Sequence, residues 1–148
     1  MKNKRQRVES TNRQARFNYI LEKNYIAGIV LNGSEVKSIK EGLVNFVDSH
    51  CIFNEGELFL RNLSITPLLS TQGHVPTAER KLLLNKKELI KLQSELKAGY
   101  TIVPVRIFEN EKSLIKVEIA LAKGKKSHDK RESIKQKDMD RQLQRDLS

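Results

Sequence analysis

The chain has 148 residues, a formal net charge of +10 at pH 7, no Trp and a single Cys. That length allows one domain with tails, one thiol excludes an internal disulfide, and no apolar run approaches the roughly 20 residues needed to cross a bilayer. The charge is uneven: residues 1–16 carry six Lys/Arg against one acid, residues 122–148 carry nine against five, and the stretch between carries thirteen against twelve. A near-neutral body flanked by cationic arms suggests a polyanionic partner, because each Lys or Arg set on a phosphate releases condensed counterions.

Residues 1–15 are polar and basic and are expected to form a flexible arm. No apolar stretch follows the basic start, so the reading is of a cytoplasmic chain without a secretory signal. From Phe17 to Leu31 the pattern is extended, with Gly28 expected to mark a bulge or barrel bend. Asn32-Gly33 turns the chain, and Ser34 to Lys40 reads as a short helix with Gly42 beyond its end. Phe46 to Leu60 reads as a hairpin around Asn54-Glu55-Gly56-Glu57, and Thr66 to Arg80 as a loop broken by Pro67, Gly73 and Pro76. Asn85 with Glu88 forms a capping-box pattern ahead of Leu89, Leu92 and Leu96, and Gly99 is placed to end that helix. Tyr100–Phe108 and Leu114–Leu121 are strands joined by a turn at Glu109 to Lys112. Lys116 and Glu118 alternate there with Ile115, Val117 and Ile119, giving one wet and one buried face. Beyond Ala122 the chain is charged to its end; residues 132–147 have only a thin apolar face (Met139, Leu143, Leu147) and are expected to become helical on a partner. The whole suggests a body of about six short antiparallel strands closed into a small barrel.

Catalytic patterns are missing. Three His and one Cys lack metal-ligand spacing, and there is no phosphate-binding loop or nucleophile elbow. Glu35 and Asp48 are read as capping or surface charges rather than an acid/base pair, and Cys51 as a small buried side chain. The run Lys123 to Arg131 is different: it sets five cations and His128 within nine residues, a composition suited to phosphates and, through the imidazole, to a stacked base.

At that point the sequence resembles the small protein B family, the bacterial partners of transfer-messenger RNA. The likeness rests on Asn12-Arg-Gln-Ala-Arg16, Ala27-Gly-Ile-Val-Leu31, Gly33-Ser-Glu-Val-Lys-Ser38, Arg80-Lys-Leu-Leu-Leu84, Lys116-Val-Glu-Ile119 and Ala122-Lys-Gly-Lys-Lys-Ser-His-Asp-Lys-Arg131 with Ile134-Lys135. It implies an oligonucleotide-binding-type antiparallel β-barrel over residues 16–122, with one to three peripheral helices. A basic tail over 123–148, disordered when free, is implied to turn helical in the ribosome. It also implies a non-enzymatic monomer without metal or cofactor. The implied action is to bind the tRNA-like domain of transfer-messenger RNA and deliver it to the A site of stalled ribosomes. Alanyl-tRNA synthetase and elongation factor Tu would be met through the RNA. A ribosomal or assembly protein binding rRNA directly is the alternative.

By matching motif, Asn12, Arg13, Arg16, Phe17, Leu83 and Lys116 are the implied RNA-contacting residues; sequence alone leaves Leu83 equally open to a core role. The implied tail set, acting at the decoding centre and in the empty mRNA channel, is Gly124 as hinge with Lys125, Lys126, His128, Asp129, Lys130, Arg131, Ile134, Lys135 and Met139. The chain departs from the family pattern at Ile26, where Glu is usual, at Phe17 for His, at Val75 for Asp, and at Met139 for Trp.

Overall fold

The computed structural model describes residues 7–68 and 74–125. In chain order these form β1 (Glu9–Thr11), α1 (Arg13–Asn18), β2 (Tyr19–Ile29), α2 (Gly33–Lys40), β3 (Val44–Asn45), β4 (His50–Asn54), β5 (Glu57–Arg61), β6 (Ser64–Ile65), β7 (Arg80–Leu83), α3 (Lys86–Glu95), β8 (Tyr100–Glu109) and β9 (Ile115–Gly124). The main sheet runs β1-β8-β4-β5-β7-β2-β9, and direct pairing of β8 with β9 closes β8, β4, β5, β7, β2 and β9 into a six-stranded ring. β1 shares with β4 the outer edge of β8: β1 takes Arg106 to Phe108, while β4 meets β8 at Cys51↔Ile102. A short β3–β6 ladder stands beside the ring.

Alternation explains the barrel. Along β9, Ile115, Val117, Ile119 and Leu121 point inward and are buried, while Lys116 and Glu118 face out. Ala27, Leu58, Leu60, Leu82, Ile102 and Ile107 join them in a core of aliphatic side chains, as a chain without Trp requires. Cys51 belongs to that core, and burial pushes its thiol far above the ordinary range, so it behaves as a small apolar side chain. The β4–β5 hairpin closes through Glu55 and Gly56, with φ of 53° and 79°, the two left-handed positions a tight hairpin loop needs.

A bulge sets the other surfaces. Pro104 has no N–H for the ladder, and the β8–β9 register slips between Pro104 and Arg106. Asn12 covers the irregular stretch: its Nδ2 donates to the Pro104 carbonyl at 2.8 Å and its backbone N–H to that of Val105 at 2.8 Å. Beside this bulge, α1 lays Ala15 against Val103 and Ala122 on the outside of the barrel.

Around α2 the polar groups turn inward. Asn32 and Glu35 form a capping box, and the second Glu35 oxygen accepts from Arg80 Nε, both side chains being buried. The remaining Arg80 nitrogens donate to the carbonyls of Leu63 at 2.7 Å, Pro76 at 2.9 Å and Val75 at 3.3 Å. His74 adds a second tie: Nε2 donates to the Ile65 carbonyl at 2.7 Å, leaving Nδ1 to accept from the Ser34 hydroxyl at 2.7 Å.

Several expectations change. Ordered structure begins at β1 and α1 rather than after an arm ending at residue 15, because Glu9–Thr11 finds a free edge on β8 and Ala15 a covered site. Phe17 accordingly lies in α1, not in an extended run. Gly28 is not bulged; the irregularity in β2 falls between Leu21 and Lys23. Arg80 is the first residue of β7 rather than the end of a loop. α3 ends at Glu95, with Gly99 at φ 85° only after an intervening turn. β9 continues past Leu121 to Gly124, the implied hinge, which pairs with Tyr19.

Candidate nucleic-acid interface

On the outside of the ring, β2 runs between β7 and β9, and Gly28 is paired with Leu83 on one side and Lys116 on the other. A Cβ on Gly28 would lie 3.3 Å from Leu83 Cβ and 3.6 Å from both Leu83 Cδ1 and Lys116 Nζ. Glycine lets the two side chains converge over its backbone; a Cβ there would press on Leu83 by a few tenths of an ångström. Leu83 is 50% exposed, which settles the choice between core and surface in favour of surface. Ile26, on the same face of β2, is 48% exposed. The patch thus offers apolar surface to a ribose or base beside an ammonium for a phosphate. Lys116 has no ion-pair partner among the described residues, so its charge is uncommitted.

Glu118 joins this patch to α1. Its carboxylate accepts from Arg106 Nε at 2.7 Å and from Asn24 Nδ2, and it lies opposite Ile26 in the β2–β9 register. Burial pushes this carboxyl up, but the Arg106 and Asn24 hydrogen bonds and the charges of Arg106 and Arg16 outweigh it, and the net shift is downward. Arg106 is also bonded to Glu9 at 2.9 Å and stacks 4.0 Å from the centre of the Phe108 ring. Its hydrogen bonds to Glu118 and Glu9 raise its own pKa.

Of the predicted residues, Leu83 and Lys116 are therefore brought together directly. Arg13 and Arg16 are exposed on α1, Phe17 is half-buried, and Arg16 is near enough to Glu118 to act on its charge. Asn12 is partly committed, through its side chain, to the β8 bulge. It also lines a groove of about 470 Å³ between α1 and the segment 44–49, together with Arg13, Asn18, Phe46 and Asp48. In the tail set, Gly124 ends β9 and the Lys125 amide donates to the Asn18 carbonyl at 3.1 Å, so both are held against the barrel. Lys126, His128, Asp129, Lys130, Arg131, Ile134, Lys135 and Met139 lie outside the described residues, as does the tail helix expected over 132–147.

Sequence reasoning missed Arg106, Phe108 and the linking role of Glu118. The signal was the alternation Val105-Arg106-Ile107-Phe108, which places Arg106 and Phe108 on the wet side of a strand. No group of three or more His, Cys, Asp or Glu among the described residues is arranged to hold a metal ion, and no described helix is long and apolar enough to cross a membrane.

The family model described as SmpB protein matches residues 9–148. The SsrA-binding protein of Bacteroides thetaiotaomicron is 51% identical over 141 residues, covering 93% of this chain and 94% of the relative. Those of Phocaeicola vulgatus and Fervidobacterium nodosum are 52% and 48% identical, each again covering 93% of this chain and 94% of the relative. Among solved structures, a chain from one described as "tmRNA-SmpB: a journey to the center of the bacterial ribosome" is similar at 42% identity. The TM-score is 0.72, over 85% of this chain and 94% of that one.

Proposed function

The chain belongs to the SmpB family, and on that premise we propose that it reads the tRNA-like domain of transfer-messenger RNA with the outer wall around Gly28. It acts in trans-translation, with transfer-messenger RNA and the ribosome as its partners; the reading as an rRNA-binding assembly protein is not favoured. Catalysis has no place in this account, since binding and delivery need only fit and charge. The site of action is the bacterial cytoplasm, where ribosomes stall.

The observation that carries the reading is the convergence of Leu83 and Lys116 over Gly28. Folded RNA exposes riboses, base edges and phosphates in its wide minor groove and at loops. A wall with a half-exposed leucine, an exposed isoleucine and a lysine outside any ion pair among the described residues meets all of these at once. The α1 arginines Arg13 and Arg16, with Asn12 and the ring of Phe17, extend the contact along the same side of the barrel. The basic tail from Lys126 onward, including His128 to Arg131 and Ile134, Lys135 and Met139, then enters the empty mRNA channel, whose walls are phosphates. An intact message would exclude it by occupancy, so the tail discriminates without chemistry.

A gel-shift titration with transfer-messenger RNA against a size-matched tRNA tests the first half. Clear preference for transfer-messenger RNA is expected, and equal affinity would refute it. Truncation after Lys125 tests the second half: RNA affinity should hold while peptide tagging on stalled ribosomes is lost. The cut spares Gly124 and Lys125 because both are tied to the barrel. A large loss of RNA affinity, or tagging that persists, would contradict the division.

A further inference from the structure

We infer that the outward face of α3 is a second phosphate-binding surface that continues the Leu83–Lys116 wall and grips the backbone of the same RNA. The inference rests on the RNA-binding reading above. α3 sorts its charges by side. Its two acids are engaged within the protein: Glu88 closes the capping box with Asn85, and Glu95 accepts from Lys23 and from the Tyr25 hydroxyl. Leu92 is buried and Leu89 and Leu96 pack on the core. At about 100° per residue, Lys86, Lys87, Ile90 and Lys91 fall together on the opposite side, and all are exposed. No ion pair engages the three lysines among the described residues.

Stability does not explain this arrangement. Lys86 and Lys87 occupy the first turn, the positive end of the helix, where cations are disfavoured, and the last turn, which would favour them, carries none. Lys86 and Lys87 therefore cost the free helix something that a bound polyanion would return, while Lys91 has only the charge of Glu95 for company. Their position commits them to one RNA. Lys86 follows Leu83 by three residues, at most ~11 Å along an extended chain, which is about one Debye length at 0.1 M salt. A duplex lying on Leu83 and Lys116 would pass its phosphates over this turn.

The test is the salt dependence of binding between the full chain and the isolated tRNA-like domain of transfer-messenger RNA. Lys86→Gln, Lys87→Gln and Lys91→Gln together preserve helix propensity, and circular dichroism checks that the fold is kept. The slope of log affinity against log salt should fall by about two to three. A control, Lys37→Gln with Lys40→Gln on α2, removes charge elsewhere and should change the slope by less than half as much. An unchanged slope in the α3 variant, or an equal loss per charge in the control, would overturn the inference. Failure of the wild-type chain to prefer this RNA over tRNA would instead overturn the functional reading, so the two outcomes are separable.

Discussion

Two groups of charges in this protein are handled in opposite ways. Around α2, Arg80 is buried and every bond it makes is internal: to Glu35 and to the carbonyls of Leu63, Val75 and Pro76. On α3, Lys86, Lys87 and Lys91 are exposed, and on the β7–β2–β9 wall Lys116 is partly so, none of them in an ion pair among the described residues. The first group holds α2, β6, β7 and the 74–76 segment in one arrangement. The second makes no ion pair among the described residues; only the charge of Lys91 acts on a neighbour, the Glu95 carboxylate. An exposed cation without an ion pair marks where a partner's charge belongs, whereas a buried and saturated arginine marks architecture.

That contrast can be broken by experiment. Arg80→Ala should have the largest effect. It leaves the Glu35 carboxylate buried without its cation and strips donors from three carbonyls. Urea unfolding should show a loss of about 3–5 kcal/mol. A smaller loss, under about 1 kcal/mol, would mean that the pair is not holding the fold.

Next in size is Gly28→Val. The added Cβ meets Leu83 at 3.3 Å and Lys116 at 3.6 Å, and the branch must push both aside. Valine suits a strand, so the melting temperature should hardly move while RNA affinity falls roughly tenfold, about 1.4 kcal/mol. Parallel losses in both would make Gly28 a folding residue only.

Lys116→Ala should do less, weakening RNA binding and reducing the salt slope by about one. A slope equal to that of wild type would show that its ammonium meets no phosphate.

The smallest effect concerns pH. Glu118 is held below its ordinary carboxyl pKa by Arg106, Asn24 and Arg16. A depressed folded-state pKa adds stability above the unfolded value, about 4.3. That stability is lost as pH falls through the folded value. Melting temperature should therefore drop between pH 5 and pH 3, and Glu118→Gln should make that drop shallower. An identical pH profile in the variant would remove Glu118 from the account.

The strands of the ring were legible because alternation is strong where one face is buried: Leu58 with Leu60, and Val117 with Ile119, announce themselves. The α3 start was legible from Asn85 and Glu88, whereas the half-exposed position of Leu83 was not, since the sequence left it equally open to the core. α1 was not, since a six-residue helix that buries only Ala15 carries no periodicity. β1 was equally hidden, because Glu9–Thr11 is a strand only by virtue of the free edge on β8. The same limit applied to Gly28, whose isolated position in an apolar run suggests a bulge, while its role depends on two side chains from strands far away in sequence. The Asn32–Glu35 box shares the pattern seen at Asn85, but burial of Glu35 against Arg80, 45 residues on, is a tertiary fact.

The central claim is that the wall over Gly28 is the RNA-reading surface, and Leu83 tests it most directly because it is half exposed and supports little of the core. Leu83→Asp puts a negative charge where a phosphate-bearing ligand is to pack. Binding to the tRNA-like domain should fall by well over tenfold, with thermal melting within a few degrees of wild type. Affinity equal to that of the wild-type chain, in a variant that is folded, would contradict the account.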